Sequence, residues 1–170
     1  MRKQMGRLMA GATVAVVVAG VASYSQQRTE AAFSTPVNVA VTANVASNCV
    51  MTAGSVAFGA YDPLVTHAAA NLDQTGSVSV ACVKGTVANV GLGAGSNFSG
   101  SRRMSNGTDF LAYELYTTAG RTTVWDTTNR VNYTAASKAS TNLTIYGRVP
   151  SNQDVSAGSF TDTVVAQAEF

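Results

Sequence analysis

Across residues 37–48 the chain alternates: Val37, Val39, Val41, Ala43 and Val45 fall on one side, and Asn38, Ala40, Thr42, Asn44 and Ala46 on the other. Successive side chains of a strand point to opposite faces, so this pattern predicts a long strand and not a helix. The same period returns where Leu111, Tyr113 and Leu115 alternate with Ala112, Glu114 and Tyr116. Further strands are predicted over residues 55–59, 76–83, 88–92, 110–117, 122–126, 142–149 and 160–170. Between them lie turn clusters such as Tyr61-Asp62-Pro63, Gly93-Ala94-Gly95-Ser96-Asn97, Ser105-Asn106-Gly107-Thr108 and Pro150-Ser151-Asn152. Beyond the N-terminal segment no stretch carries a sustained helical stripe, and many short strands with regular turns predict a β-sandwich.

The last predicted strand keeps alternating to its final residue, with Val164, Ala166, Ala168 and Phe170 on one face. A large aromatic at a core-facing position is an unusual ending, since most domains finish in a frayed polar tail. The expectation is that the fold either closes without further strands or receives one from another chain.

The N-terminus reads differently. Arg2, Lys3 and Arg7 precede an apolar run of 15 residues from Leu8 to Ala22, followed by Ser23 and polar residues. A basic start, an apolar middle and small residues at its end describe a secretory signal peptide, assigned here to residues 1–23. The run is too short for a stable membrane anchor, which needs about 20 apolar residues. Setting those three cations aside leaves 8 basic against 9 acidic residues, so the net charge of +2 gives no basis for nucleic-acid binding.

Export makes the cysteines readable. Cys49 and Cys82 are the only two, and each closes an alternating run. In an oxidising compartment an even count predicts a disulfide between two strands, stabilising by about 3–4 kcal/mol in the chain-entropy model. A redox or metal pair would need a closer spacing or further ligands.

Catalytic chemistry finds few carriers. His67 is the only histidine, and no Gly-x-Ser-x-Gly elbow presents a nucleophile. The acids are scattered, and Asp62 and Asp162 read as turn residues accepting backbone hydrogen bonds. Gly91-Leu92-Gly93-Ala94-Gly95 lacks a following helix to aim at a phosphate and reads as a strand entering a turn. Arg102-Arg103 reads as a solvated turn or a pair with a local carboxylate. No cofactor, metal or catalytic residue is assigned.

The order of motifs resembles the spore coat protein U family, which includes the major pilins of archaic chaperone–usher pili. The matching stretches are Val45-Ala46-Ser47-Asn48-Cys49-Val50, Phe58-Gly59-Ala60-Tyr61-Asp62-Pro63, Val78-Ser79-Val80-Ala81-Cys82, Arg102-Arg103-Met104-Ser105-Asn106 and Tyr113-Glu114-Leu115-Tyr116 with Trp125. They continue through Ile145-Tyr146-Gly147-Arg148-Val149-Pro150 to Ala157-Gly158-Ser159-Phe160-Thr161-Asp162-Thr163-Val164, so the likeness spans residues 37–170.

This resemblance implies an all-β, incomplete immunoglobulin-like sandwich that lacks its last strand. It implies a structural, non-catalytic pilus subunit at the cell surface, with neighbouring copies of itself, a periplasmic chaperone and an outer-membrane usher as partners. Residues 24–41 form the candidate donor segment, with Phe33, Val37, Val39 and Val41 as plugs. Its boundary overlaps the sandwich domain, set at 37–170. Val164, Ala166, Ala168 and Phe170 are the candidate acceptor groove and chaperone contact. Neither nucleic acid nor a stable membrane anchor is expected. The alternatives are a spore or cell-surface coat protein, and a secreted carbohydrate-binding or adhesin module using Tyr116 and Trp125 as stacking platforms.

Overall fold

The longest ladder in the molecule joins residues that are distant in sequence. In the computed structural model, which describes residues 30–170, β2 (Leu72–Cys82) and β7 (Thr141–Val149) pair antiparallel from Leu72↔Val149 to Val80↔Thr141. Around this pair the larger sheet adds β1 (Cys49–Ser55) on one side, and β5 (Phe110–Tyr116) and β4 (Arg102–Ser105) on the other. Its order is β1-β2-β7-β5-β4. The second sheet places β3 (Val87–Leu92) between β6 (Val131–Thr134) and β8 (Ala166–Glu169). Every pairing is antiparallel, and the chain is an all-β, incomplete immunoglobulin-like sandwich.

The chain divides into two units, Met1–Thr42 and Ala43–Phe170. The signal-peptide assignment at 1–23 lies outside the described residues. Residues 37–48 are not the strand that their alternation predicts: none carries strand structure, and Val37, Val39 and Val41 are 80–90% exposed. Alternation supplies a face, but a strand also needs a hydrogen-bonded ladder, and the backbone bond of Asn48 O to Val83 N at the very end of this stretch does not make one. Regular pairing starts at Cys49, directly opposite Cys82, to which it is disulfide-bonded with Cα atoms 4.1 Å apart. Residues 56–59 are likewise outside any strand. A bulge between Thr52 and Ser55 ends the ladder on Ser77 and turns Phe58 inward, where its ring lies over Gly147. A Cβ at Gly147 would stand 2.7 Å from that ring, so only glycine admits it.

The core alternates as sequence patterning demands: Leu111, Tyr113 and Leu115 are buried and face Val78, Val90, Leu92 and Ile145. Residues 122–126 make only the isolated bridge Tyr116↔Val124. This leads Trp125 into the core, fully buried, where its indole N–H donates to Val90 O at 2.8 Å. A stacking platform needs an exposed face, so Trp125 is not one.

Of the two readings of Arg102, the pair with a carboxylate holds and the solvated turn does not. Arg102 opens β4 and is 2% exposed. Its guanidinium pairs with Glu114 and donates to Gly93 O at 2.6 Å and Trp125 O at 2.8 Å, fastening the larger sheet to the end of β3. A buried cation persists only when its donors are matched in this way.

Where Pro150 ends β7, the Gln153 carboxamide takes the next rung. It accepts from Ala112 N at 2.7 Å and donates to Ala112 O at 3.0 Å. On the same sheet Asp73 is held by Arg148 through bonds of 2.7 and 2.8 Å, with Arg121 at 3.3 Å.

Arg102→Met is expected to lower the stability of the sandwich by about 3–5 kcal/mol in urea unfolding, because Glu114 and two carbonyls lose a shared buried donor. A second expectation concerns acid. The hydrogen bond from Arg148, reinforced by the Arg121 charge, holds the Asp73 carboxyl below the usual carboxylate range. A lowered folded-state pKa gives stabilisation that is complete above the unfolded value of about 3.9 and fades as pH falls through the folded one. Asp73→Asn should therefore be less stable than the parent at neutral pH, and the two acid-unfolding curves should converge below about pH 4.

Candidate functional site

The two sheets do not close on each other along one side. There a cleft of about 510 Å³ opens between β1 with its bulge and the segment leading into β8. It is lined by Met51 of β1 with Val56 and Phe58 just after that strand, by Leu92 of β3, and by Ala166 of β8 with Val164 just before it, together with Tyr113, Leu115 and Ile145. A shallower second cleft, about 780 Å³, continues past the end of β8 and is lined by Cys49, Met51, Ala168 and Phe170 among others. Met51 and Ala166 line both, so the two form one continuous groove.

The residues singled out in the last strand lie along this groove. Val164, Ala166 and Ala168 are half-buried and packed against the core, alternating with exposed Thr163, Val165, Gln167 and Glu169. Phe170 is 55% exposed at the rim. Regular pairing is shorter than the predicted 160–170: β8 covers four residues, preceded by a single bridge from Thr161 to Ser105. The described part of the candidate donor segment carries Phe33, Val37, Val39 and Val41 in irregular, exposed chain.

The hydrogen-bond parity of β8 decides what its edge offers. Gly93 N donates to Val165 O at 2.7 Å and Ser96 N to Thr163 O at 3.1 Å, so odd-numbered residues turn their backbone groups toward β3. Even-numbered residues, Val164, Ala166 and Ala168, turn theirs toward the open side, where β8 has no neighbour. The same residues point their side chains into the groove. An open edge beside exposed core is unpaired in both senses, backbone and apolar surface.

The groove ends at a polar lock. Asp162 accepts from Ser96 N at 2.9 Å and Asn97 N at 3.2 Å through one carboxylate oxygen, and from the Tyr113 hydroxyl at 2.7 Å through the other. Burial, followed by the Asp162 bond and charge, keeps the Tyr113 phenol protonated well above the ordinary tyrosine range. Gly95, at φ +91°, passes so close that a Cβ there would stand 2.2 Å from the carboxylate. The turn reading of Asp162 foresaw backbone bonds, but not that they clamp a loop 65 residues away in sequence.

His67 is buried and takes a local part: its Nδ1 accepts from Asp62 N at 2.9 Å while the ring stacks on Tyr61. Asp62 caps the same turn by accepting from Leu64 N and Val65 N. Among the described residues no group of His, Cys, Asp and Glu is placed to hold a metal ion.

An edge strand unpaired on one side, beside half-buried apolar residues, is the geometry to which an extended strand can add. The profile of the Spore Coat Protein U domain matches residues 35–167, and the chain belongs to that family. It is similar to Protein U of Myxococcus xanthus, at 36% identity over 173 residues, covering 92% of this chain and 96% of the relative. Among solved structures it resembles a chain from the complex of chaperone and tip adhesion subunit, CsuC–CsuE, of the archaic chaperone–usher Csu pili of Acinetobacter baumannii. That match has a TM-score of 0.54 at 21% identity, covers 74% of this chain, and spans 40% of the other. At that identity it speaks to the fold.

Asp162→Ala is expected to free the segment before β8, costing about 1–3 kcal/mol through the donors left unpaired. Hydrogen exchange should show it as lost protection at the Ser96 and Asn97 amides, with the Val90 amide unchanged.

Proposed function

We propose that this chain is a structural, non-catalytic subunit of an extracellular pilus, exported through the periplasm and built into a filament by donation of a strand from one copy to the next. The observation that carries this is the open edge of β8, where inward-facing Val164, Ala166 and Ala168 also bear the free backbone groups. The donor would be the segment at residues 24–41, whose alternating apolar residues stand exposed where described. Seating it buries several valines, each worth ~1.5–3 kcal/mol, and adds a ladder of backbone hydrogen bonds. A head-to-tail contact of this kind does not close on itself and produces a filament.

An open groove is an aggregation hazard in transit. A periplasmic chaperone supplying a temporary strand, and an outer-membrane usher exchanging it for the next subunit's segment, are the partners this reading assigns. The likeness to a chain from a chaperone–tip subunit complex supports the first of them. Cys49 and Cys82, bonded in the structure, suit an oxidising compartment.

Deleting residues 24–41 should leave subunits capped by chaperone and no filaments, and Phe170→Ser should weaken chaperone capture. Surface material from the parent should run as a detergent-resistant ladder that collapses on heating. Ordinary filaments from the deletion would contradict the proposal. A surface layer without filaments or ladder would assign the chain to the coat-protein reading instead.

A further inference from the structure

We infer that the donated strand seats in one register, with Val37 opposite Ala168, Val39 opposite Ala166 and Val41 opposite Val164 of the receiving copy, running antiparallel to β8. This rests on the proposed function and names the residues that meet.

Direction comes first. All six strand pairings of the sandwich are antiparallel, the arrangement with the more stable ladder per residue. Face follows from parity. The receptive positions of β8 are even-numbered and point inward, so the residues opposite them must also point inward, and in the donor the apolar positions are odd-numbered. A slip of one residue would turn Asn38 and Ala40 into the groove and the valines out.

The remaining choice is among slips of two. Moving the donor so that Val37 faces Ala166 puts Val41 level with Asp162, the one charged residue among those lining the deeper cleft, and sets polar Thr35 against Ala168. Moving it the other way, with Val37 facing Phe170, draws Ala43 and Val45 into the groove. Those residues belong to the donor copy's own sandwich, which begins at Ala43, and Asn48 O is already held by Val83 N at 2.9 Å. Only the middle register sets all three valines against half-buried apolar residues, two of them alanines whose small side chains leave room.

Pro36 fits it as well: it has no N–H, yet in this register its nitrogen faces away from β8, so no rung of that ladder is lost. The strand named by this register runs from Val37 to Val41.

The register predicts which outward residues become neighbours: Asn38 beside Gln167, and Ala40 beside Val165. These are pairs without mutual hydrogen bonds, with Cα atoms about 4.5 Å apart, while diagonal positions lie about 7–8 Å apart. The native Cys49–Cys82 bridge joins a directly opposed pair of the same kind at 4.1 Å. The chain's two cysteines are both in that bridge, so added thiols report cleanly.

The test uses the full chain in its host, carrying Asn38→Cys with Gln167→Cys, or Ala40→Cys with Val165→Cys. Two offset combinations, Asn38→Cys with Val165→Cys and Asn38→Cys with Glu169→Cys, serve as comparisons. Covalent ladders on boiled, non-reducing gels are expected from the first two and not from the offset two, the parent giving none. A ladder from an offset combination in place of the first two overturns the register. So does the absence of ladders from all four while microscopy shows intact filaments. If the parent itself forms neither filaments nor a heat-labile ladder, the pilus reading fails, and the register with it.

Discussion

A strand's backbone carries polar groups on both sides, and a sheet edge leaves one side unmet. Along most of this sandwich the unmet groups face water or find a substitute, as at Ala112, where the Gln153 carboxamide stands in for a missing neighbour. At β8 the unmet groups coincide with apolar side chains that open into the core. Water satisfies the backbone there but leaves Val164, Ala166 and Ala168 half-covered, whereas a small apolar ligand would do the reverse. Another strand answers both demands together.

Contacts around the groove tie its walls to the rest of the sandwich. Arg102 of the larger sheet and the buried Trp125 reach β3 and Gly93 just beyond it through backbone carbonyls. Asp162 holds the approach to β8 against the loop at Ser96 and Asn97, and Tyr113 beneath it. The bulge in β1 swings Phe58 over Gly147 and so widens the space that Val56 and Phe58 line.

Much of this was visible in the sequence where period and turn chemistry agree. The faces of β5 and of β8 follow directly from their alternation, as does the disulfide from the cysteine count. The same rule failed at residues 37–48, because periodicity records which side chains want burial and not whether a neighbour exists to pair with. β4 was missed for the opposite reason: Arg-Arg-Met-Ser has no apolar period, and Arg102 is buried with its donors matched by Glu114, Gly93 and Trp125, which come from three other segments of the fold. The groove's alanines and valines could be read, but its polar end could not, since nothing local to Asp162 announces Ser96, Asn97 or Tyr113 as partners.

The position of the disulfide carries a mechanical consequence. If copies are joined as proposed, tension reaches each subunit through the segment that precedes Ala43 and arrives first at Cys49, the opening residue of an edge strand. Peeling β1 away from that end would break its rungs one at a time, the weakest way to load a sheet. The covalent link to Cys82 passes the force instead into β2, which is held to β7 by the ladder from Leu72↔Val149 to Val80↔Thr141. The bridge is thus placed where a rope would need its knot.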